Sequence, residues 1–291
     1  MNCTFPAQSQ HGWKVFDVIN SKVTLEKHMP TFKLSEHAFY EQEDRGKTTK
    51  AIKREEFDRF NPGVLGLGDI AQESVARPAV AALFDLQGFT VFCKQIEPHL
   101  SVPIYLSGFL SWIFAEIRKE TIRKEYETGV AVWHALPFFM KFMGDGLLVL
   151  WDTSEMLPAA QHNLILSCEN IRQAYGKQFC PAIRRKVSDV PALLRCGISK
   201  GTVFSVGNGE DYVGSCINVA ARLQKLTGLP IAFARRGFDP EVQWKNEPVL
   251  LALWLLKKVS IRGIGENELV YVKKADFNAL APEDQRLFEN P

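Results

Sequence analysis

The sequence predicts an α+β domain in which helices cover a mostly antiparallel sheet. Short apolar runs of strand length alternate with longer amphipathic segments, and Gly-rich turns separate paired apolar runs. Hydrophobic residues make up 46% of the 291-residue chain and charged residues 23%, as in an ordinary globular protein with a sizeable core. The net charge of +2 gives no reason to expect a nucleic acid or an anionic membrane as a partner.

The chain divides at about residue 78. Residues 1–77 are charge-dense with little apolar periodicity, so we expect an N-terminal extension or arm there, and one domain over residues 78–291. The six cysteines are scattered without CxxC pairs, which indicates neither a zinc site nor a disulfide framework. The start lacks a signal-peptide pattern, and the apolar run 100–114 is short for a bilayer span. We therefore expect a cytoplasmic protein with no membrane partner.

The first predicted elements are a strand and a long helix. The run "AVAALFDL" (79–86) is continuously apolar and ends in an acid, as expected of a buried central strand. The segment 97–127 follows with helical periodicity before a charged end. Its apolar residues at helical spacing are Tyr105, Phe109, Trp112, Ile113 and Ile117.

The remaining elements complete a βαββαβ order. A hairpin spans 141–151, and a second helix runs through 157–179. A strand is predicted at 192–199. The later predictions are a hairpin at 201–214 around a Gly-Asn-Gly turn, a helix at 215–226, and two strands within 259–274. Strand, helix, hairpin, helix, strand is the order of a ferredoxin-like sandwich.

An aspartate lies at the tip of the first hairpin, "KFMGDGLLVLW". Gly144 and Gly146 suit a tight turn between two core strands, so Asp145 has a purely structural explanation. Asp85 ends the neighbouring predicted strand, and the two carboxylates can converge at one edge of the sheet. Such a pair repels unless a cation bridges it, and hard oxygen ligands suit Mg²⁺ or Mn²⁺. A structural acid at each turn remains the alternative.

A third segment, "DYVGSCINVAARLQKL", carries two further polar residues. Asn218 and Arg222 lie four apart on the predicted helix, hence on one face. If that face is buried, both side chains need partners, and a nucleotide supplies a hydroxyl and a phosphate. The alternative is an exposed helix with an ordinary surface arginine.

Together, "FDLQGFT", "KFMGDG" and "DYVGSCINVAAR" resemble the three signature blocks of class III nucleotidyl cyclases. Those blocks are F-x-D-I-x-G-F-T, K-x-x-G-D and D-x-x-G-x-x-V-N-x-A-x-R. Order and internal spacing match, and the resemblance covers roughly residues 78–274. The resemblance implies conversion of an NTP to a 3′,5′-cyclic nucleotide and pyrophosphate by a two-metal mechanism.

The resemblance implies a metal site and a phosphate site on the first two blocks. Asp85, Asp145 and Leu86 fall at the metal positions and would bind two divalent ions, Mn²⁺ or Mg²⁺. Phe89 and Thr90 would lie by the phosphates.

The resemblance also implies roles for five later or flanking residues. Asn218 would orient the ribose, and Arg222 would stabilise charge at the α-phosphate. Arg262 falls where the family commonly has a lysine that binds the triphosphate, and arginine can serve there with its bidentate fork. Lys141 and Asp211 occupy the base-reading positions.

The resemblance implies a homodimer with sites at the interface, because the family takes the metal aspartates from one subunit and the Asn/Arg pair from the other. This chain has one complete set. A non-catalytic cyclase-like binding domain is the alternative, although such domains normally lose one of these residues.

The choice of base stays open between three nucleotides. Lys141 and Asp211 suit the edge of adenine, and cytosine offers the same order of acceptor and donor. Tyr212 stands where the family usually has an aliphatic residue, and a bulky tyrosine would shrink a purine pocket. The segment 89–114 in a chain of this size resembles the pyrimidine cyclases of the bacterial antiphage system Pycsar. We therefore rank UTP first, ATP second and CTP third, with a separate effector protein as the sensor of cyclic UMP.

Overall fold

The structure, a computed structural model, describes residues 35–291 except 36, 45 and 227. Much of the predicted N-terminal extension, residues 1–34, thus lies outside the described residues. The described part of the chain forms two units. Unit one contains residues 77–203 and 214–291, and unit two contains residues 35–76 and 204–213.

The described residues contain thirteen strands. In chain order they are β1 (Phe39–Asp44), β2 (Lys47–Ile52), β3 (Ala76–Gln87), β4 (Ile122–Tyr126), β5 (Gly129–Val132), β6 (Phe139–Phe142), β7 (Gly146–Asp152), β8 (Leu193–Val206), β9 (Asp211–Val213), β10 (Ile231–Ala234), β11 (Trp254–Ile261), β12 (Gly265–Lys273) and β13 (Phe288–Glu289).

Helices connect these strands. In chain order they are α1 (Arg54–Asp58), α2 (Phe89–Phe92), α3 (Pro98–Thr121), α4 (Pro158–Ala174), α5 (Cys180–Ile183), α6 (Ser215–Leu223), α7 (Pro240–Gln243), α8 (Pro248–Ala252), α9 (Lys274–Asn278) and α10 (Pro282–Gln285). A 3₁₀ turn spans Pro62–Leu65, and a π-helical turn, Tyr175–Phe179, joins α4 to α5.

The large sheet has the strand order β13-β11-β12-β10-β8-β3-β7-β6, and β9 pairs with the end of β8. β10 and β8 are parallel, whereas β3–β7, β6–β7, β10–β12 and β11–β12 are antiparallel. In the chain, helix α3 lies between β3 and β6 of this sheet, and helix α4 lies between β7 and β8. The predicted fold class, an α+β sandwich with helices over a mostly antiparallel sheet, is confirmed.

Helix α3 provides much of the core on one face of the sheet. All five of its predicted core residues are buried, in the cluster that also contains Phe84, Trp151 and Ile198. Its 24 residues extend beyond the apolar run seen in the sequence. Among the residues that the structure describes, α3 alone has the length and composition to cross a membrane. Its buried side chains show that α3 is a core helix, and a core helix can have the same length and composition as a membrane span.

A smaller core lies where α6 and α9 meet the sheet. Leu223 of α6 and Phe277 of α9 pack with Ala232, Val270 and Val272 of β10 and β12. Ala232 alternates with Phe233, which belongs to the α3 core, so the two cores lie on opposite faces of β10. Helix α6 is thereby attached to the face of the sheet that α3 does not cover.

Candidate active site

The end of β3 and the tip of the β6–β7 hairpin are held together by main-chain contacts. Asp85 pairs with Gly146 in the register of β3 and β7. The next amide, that of Leu86, donates a 2.8 Å hydrogen bond to the carbonyl oxygen of Asp145. Asp85 and Asp145 therefore lie at one end of adjacent strands, where the sequence predicted that they would converge.

Glycine is required where the hairpin meets β3. A Cβ atom on Gly146 would overlap the carbonyl oxygen of Phe84, so any larger residue would separate β7 from β3 at this level. Gly144 has φ +92°, and the Met143 amide donates to the Gly146 carbonyl at 2.8 Å to close the turn. The turn interpretation of "GDG" is correct, and the same turn leaves Asp145 exposed.

A guanidinium neutralises the buried carboxylate at this site. Asp85 is only 6% exposed, and its Oδ2 accepts hydrogen bonds from Nη2 of Arg195 at 2.6 Å and from Nε at 3.1 Å. Arg195 lies on β8, next to β3 in the sheet. From the sequence we expected a bridging cation to relieve the repulsion between the two aspartates, and Arg195 was not predicted. The available signal was a charged residue inside the apolar strand "ALLRCGIS", since a buried charge needs a partner.

Lys141 shares a sheet face with Asp85. Lys141 pairs with Leu148 across β6 and β7, and Leu148 pairs with Leu83 across β7 and β3. Directly paired residues point to the same face, and Asp85 follows Leu83 by two residues. Asp145 lies in the turn outside both strands, so the strand register does not set the direction of its side chain.

Helix α6 packs on that same face of β8. A Cβ atom on Gly197 would overlap the main chain of Ala220, and one on Gly201 would lie 3.1 Å from Cβ of Cys216. The two glycines therefore allow the helix to approach β8 closely. Gly197 follows Arg195 by two residues and shares its face. The sheet thus carries the predicted Asn/Arg helix beside the strand that pairs with Asp85.

Asn218 and Arg222 are both exposed on α6. They lie four residues apart in one helix, as predicted, but their side chains do not point into the protein. The buried face of α6 consists of Cys216, Ala220 and Leu223, because these residues pack on β8 and β10. Of the two alternatives left open by the sequence, the single chain therefore shows the exposed helix face.

Arg262 lies at the opposite end of the sheet from Asp85. It is exposed in the turn between β11 and β12. Cys196 pairs with Ile231, and Ala232 pairs with Val272, so the Arg195 end of β8 is level with the last residues of β12. β12 has nine residues. At about 3.3 Å per residue, the turn that contains Arg262 therefore lies roughly 26 Å along the strand direction from the level of Arg195.

No protein-family model matches the chain, and no curated protein matches it by sequence. Solved structures do. The adenylyl cyclase CyaB from P. aeruginosa superposes with a TM-score of 0.52 at 16% identity, over 69% of this chain and 96% of CyaB. The guanylyl cyclase Cya2 superposes with a TM-score of 0.50 at 16% identity, over 69% of this chain and 94% of Cya2. The fold is that of a nucleotidyl cyclase catalytic domain.

Within the cyclase fold, α2 begins directly after β3. Gly88, with φ +87°, turns the chain between the two elements. Phe89 packs against the α3 core, and Thr90 is exposed on the first turn of α2. Leu86 is 2% exposed. Both predicted phosphate-site residues thus follow Asp85 within five positions.

Asp211 and Tyr212 belong to unit two. They form the start of β9, both are partly buried, and the Tyr212 amide donates to Oδ1 of Asp211 at 2.9 Å. Val206 and Ser205 pair with them across the β8–β9 turn. The predicted hairpin with a Gly-Asn-Gly turn is confirmed.

The donor set at the β3–β7 end fits divalent cations that are shared with a substrate. The groups are two carboxylates, one exposed and one buried beside a guanidinium, and oxygen ligands are what Mg²⁺ and Mn²⁺ prefer. The described residues contain no group of three or more His, Cys, Asp or Glu side chains that would enclose a metal by themselves. Substrate oxygens would have to complete the coordination.

Proposed function

We propose that this chain is a nucleotidyl cyclase that converts an NTP to a 3′,5′-cyclic NMP and pyrophosphate. The observation that supports this most is the junction at Asp85 and Asp145. Its hydrogen bond from Leu86 and its obligatory glycine hold two carboxylates at one sheet end, beside Arg195. The three sequence blocks that resemble class III cyclases and the cyclase fold support the same activity.

The reaction needs little covalent chemistry from the protein. A bond forms between the ribose 3′-oxygen and the α-phosphorus, the bond to the β-phosphate oxygen breaks, and the 3′-hydroxyl proton is lost. Two bound divalent cations, Mn²⁺ or Mg²⁺, would lower the pKa of that hydroxyl and neutralise charge on the phosphates. Asp85 and Asp145 hold the cations, with Leu86 beside them, and Phe89 and Thr90 border the phosphates.

Arginines and an asparagine would complete the positioning. Asn218 orients the ribose and Arg222 stabilises the charge that develops on the α-phosphate, both from the exposed face of α6. Arg195 keeps the buried Asp85 carboxylate paired and oriented towards the site. Arg262 binds the triphosphate through its guanidinium fork.

A homodimer would bring these groups to one nucleotide. An arginine side chain is far shorter than the roughly 26 Å between the Arg262 turn and the Asp85 level of the same chain. A second copy can supply Arg262 together with Asn218 and Arg222. Because a two-fold dimer repeats each contact, it would contain two equivalent sites.

For the base, we rank UTP first, with ATP and then CTP as alternatives. Tyr212 supports a smaller base, because it follows Asp211 directly in β9 and a bulky side chain there would shrink a purine pocket. The Lys141 and Asp211 pair supports adenine or cytosine. A cyclic UMP product would act in the cytoplasm as a second messenger in antiphage defence of the Pycsar type, sensed by a separate effector protein.

The test is incubation of the purified chain with Mn²⁺ and each of the four NTPs separately, with mass analysis of the product. We expect one cyclic nucleotide and pyrophosphate. Asp145→Asn should abolish the product, whereas Glu155→Gln, which removes an exposed acid beyond the other end of β7, should retain it. Cyclic AMP as the sole product would refute UTP as the substrate, and no product from any NTP would refute the cyclase.

A non-catalytic nucleotide-binding domain is the second candidate. The observation that favours it is the ion pair at Asp85, whose Oδ2 is already bonded to Arg195. This candidate predicts that nucleotide binds with no turnover under any metal condition. Equilibrium dialysis with labelled NTP, run beside the product assay, separates the two functions.

A further inference from the structure

The hairpin that carries Asp211 and Tyr212 is bound along one side by the N-terminal extension. The Ser205 amide donates to the Val75 carbonyl at 3.1 Å, and the Val75 amide donates to Oγ of Ser205 at 2.8 Å. Ser205 is 7% exposed, so its hydroxyl lies inside this contact. Val75 and Ser205 thus exchange two hydrogen bonds at the base of the hairpin.

The tip of the hairpin is held by the same segment of chain. The Asn208 amide donates to the Leu67 carbonyl at 3.3 Å. A Cβ on Gly207 would overlap that carbonyl, and a Cβ on Gly68 would come within 2.7 Å of Nδ2 of Asn208. The close approach therefore depends on glycine on both sides. Residues 67–75 contact the hairpin at both ends, and we call them the 67–75 segment.

The contact at Ser205 lies in register with Asp211, one of the two predicted base-reading residues, and with Tyr212, which is predicted to limit the size of the base. Ser205 pairs with Tyr212, and Val206 pairs with Asp211. The Tyr212 amide also donates to Oδ1 of Asp211, which fixes the direction of that carboxylate. Movement of the β8 end or of the turn would therefore move the side chains of Asp211 and Tyr212.

One strand of this hairpin is the end of β8 in the large sheet, whereas the other, β9, pairs only with β8 among the described strands. β9 has three residues, and short two-stranded hairpins are marginally stable in water. The 67–75 segment adds three hydrogen bonds, each of about 1 kcal/mol when it is well made. It thus supplies much of the local order of the hairpin.

We propose that the 67–75 segment is a positioning element for base recognition, acting through the hairpin at 204–213. This inference rests on the proposed function, since it assumes that Asp211 and Tyr212 read the base. It gives the N-terminal extension a role within the chain itself, and it predicts that loosening the segment changes which NTP is used rather than how fast a bound NTP reacts.

Two alanine variants in one turn test the proposal. Gly207→Ala and Gly209→Ala both place alanine at a positive φ, +59° and +81°, so both carry backbone strain. Only the Gly207 variant forces Leu67 away, because the nearest atom to a Cβ on Gly209 is the Tyr212 hydroxyl at 3.7 Å. Hydrogen exchange should show lost protection at Ser205, Asn208 and Val75 in Gly207→Ala alone.

The activity readout separates positioning from general stability. For the preferred NTP, we expect Gly207→Ala to raise KM about tenfold with kcat within about twofold of wild type, because the base contacts contribute to binding. The variant should also discriminate less strongly among the four NTPs, so that the ratios of kcat/KM between them become smaller. Ser205→Ala should act in the same direction, and Ser205→Thr, which keeps the hydroxyl, should restore the wild-type values.

The outcomes distinguish this inference from the proposed function. An active wild type in which Gly207→Ala loses protection but keeps the KM and preference of Gly209→Ala overturns the positioning role alone. An equal rise in KM and an equal loss of NTP preference in both glycine variants also overturns it. Backbone strain in the turn would then be sufficient to explain the effect. A wild type that makes no cyclic product overturns the proposed function, and the inference with it.

Discussion

Asp85 and Arg195 form an ion pair that joins β3 to β8 at the end of the sheet where the β6–β7 turn is attached. Both N–H donors reach the same carboxylate oxygen. The pair explains how an aspartate that is 6% exposed can exist in a strand of otherwise apolar residues.

Removal of Arg195 should destabilise the fold. Arg195→Met leaves a buried carboxylate without its partner, which typically costs about 3 kcal/mol when one member of a buried pair is removed. Urea unfolding measures the change, and the double variant Asp85→Asn with Arg195→Met should recover most of it. Wild-type stability in Arg195→Met would contradict the structural role of the pair.

Gly146→Ala should detach the hairpin tip from β3. The added Cβ overlaps the Phe84 carbonyl, so the Leu86 to Asp145 hydrogen bond must lengthen, at a cost of about 2 kcal/mol in unfolding free energy. Gly129→Ala is the matched control, because no atom lies within 4 Å of its Cβ position. Equal stability of the two variants in a denaturant titration would show that the close approach does not exist.

Two buried histidines should make the protein less stable in mild acid. Burial lowers the pKa of His134 and of His162 below the ordinary value of 6.5. Each neutral ring accepts a hydrogen bond at Nε2 when Nδ1 carries the proton, from Ser167 and from the Asp239 amide respectively. The unfolded chain therefore binds protons first as the pH falls below about 6.5, and stability is lost from there downwards.

We expect the free energy of unfolding to fall between pH 7.5 and 5.5, with a contribution from each histidine. His162→Asn should flatten the profile, and substitution of the exposed His99 by Asn should not. Burial raises the pKa of Glu120, so protonation of this carboxyl stabilises the folded chain as the pH falls, opposite to the effect of the histidines. The quantity to measure is therefore the difference in stability between each variant and wild type at each pH. A profile that stays flat in wild type from pH 7.5 to 5.5 would contradict the buried neutral rings.

Complementation tests the shared site. Asp145→Asn and Arg222→Ala should each be inactive yet fold normally, since both side chains are exposed. If each site takes its two halves from different subunits, a mixed dimer has one intact site, and an equimolar mixture should recover about one quarter of wild-type activity. No recovery after verified subunit exchange would mean that one chain supplies the whole site.

The sequence predicted the parts of the fold that have strong periodicity. The α3 core positions, the β6–β7 hairpin and the helix with Asn218 and Arg222 all follow from spacing and turn residues. The β4–β5 hairpin and β10 were missed, because "IRKEYETGVAV" is dominated by charge and "IAFA" has only four residues. Short strands depend on tertiary pairing more than on their own pattern.

The site was predicted as residue types rather than as geometry. Spacing identified Asp85 and Asp145, but only the register shows that Leu86 and Gly146 hold them together. Arg195 was missed because its partner is 110 positions away in the chain. The orientation of α6, and with it the exposure of Asn218, depends on Gly197 and Gly201 of β8, which the helix packs against. The spacing of residues within the helix does not contain this information.

The most direct measurement of the central claim is the product that the purified chain forms from each NTP with Mn²⁺, compared between wild type and Asp145→Asn. We expect one 3′,5′-cyclic nucleotide and an equal amount of pyrophosphate from wild type, and neither from the variant. Absence of any cyclic product from wild type, or undiminished product from a folded Asp145→Asn, would contradict it.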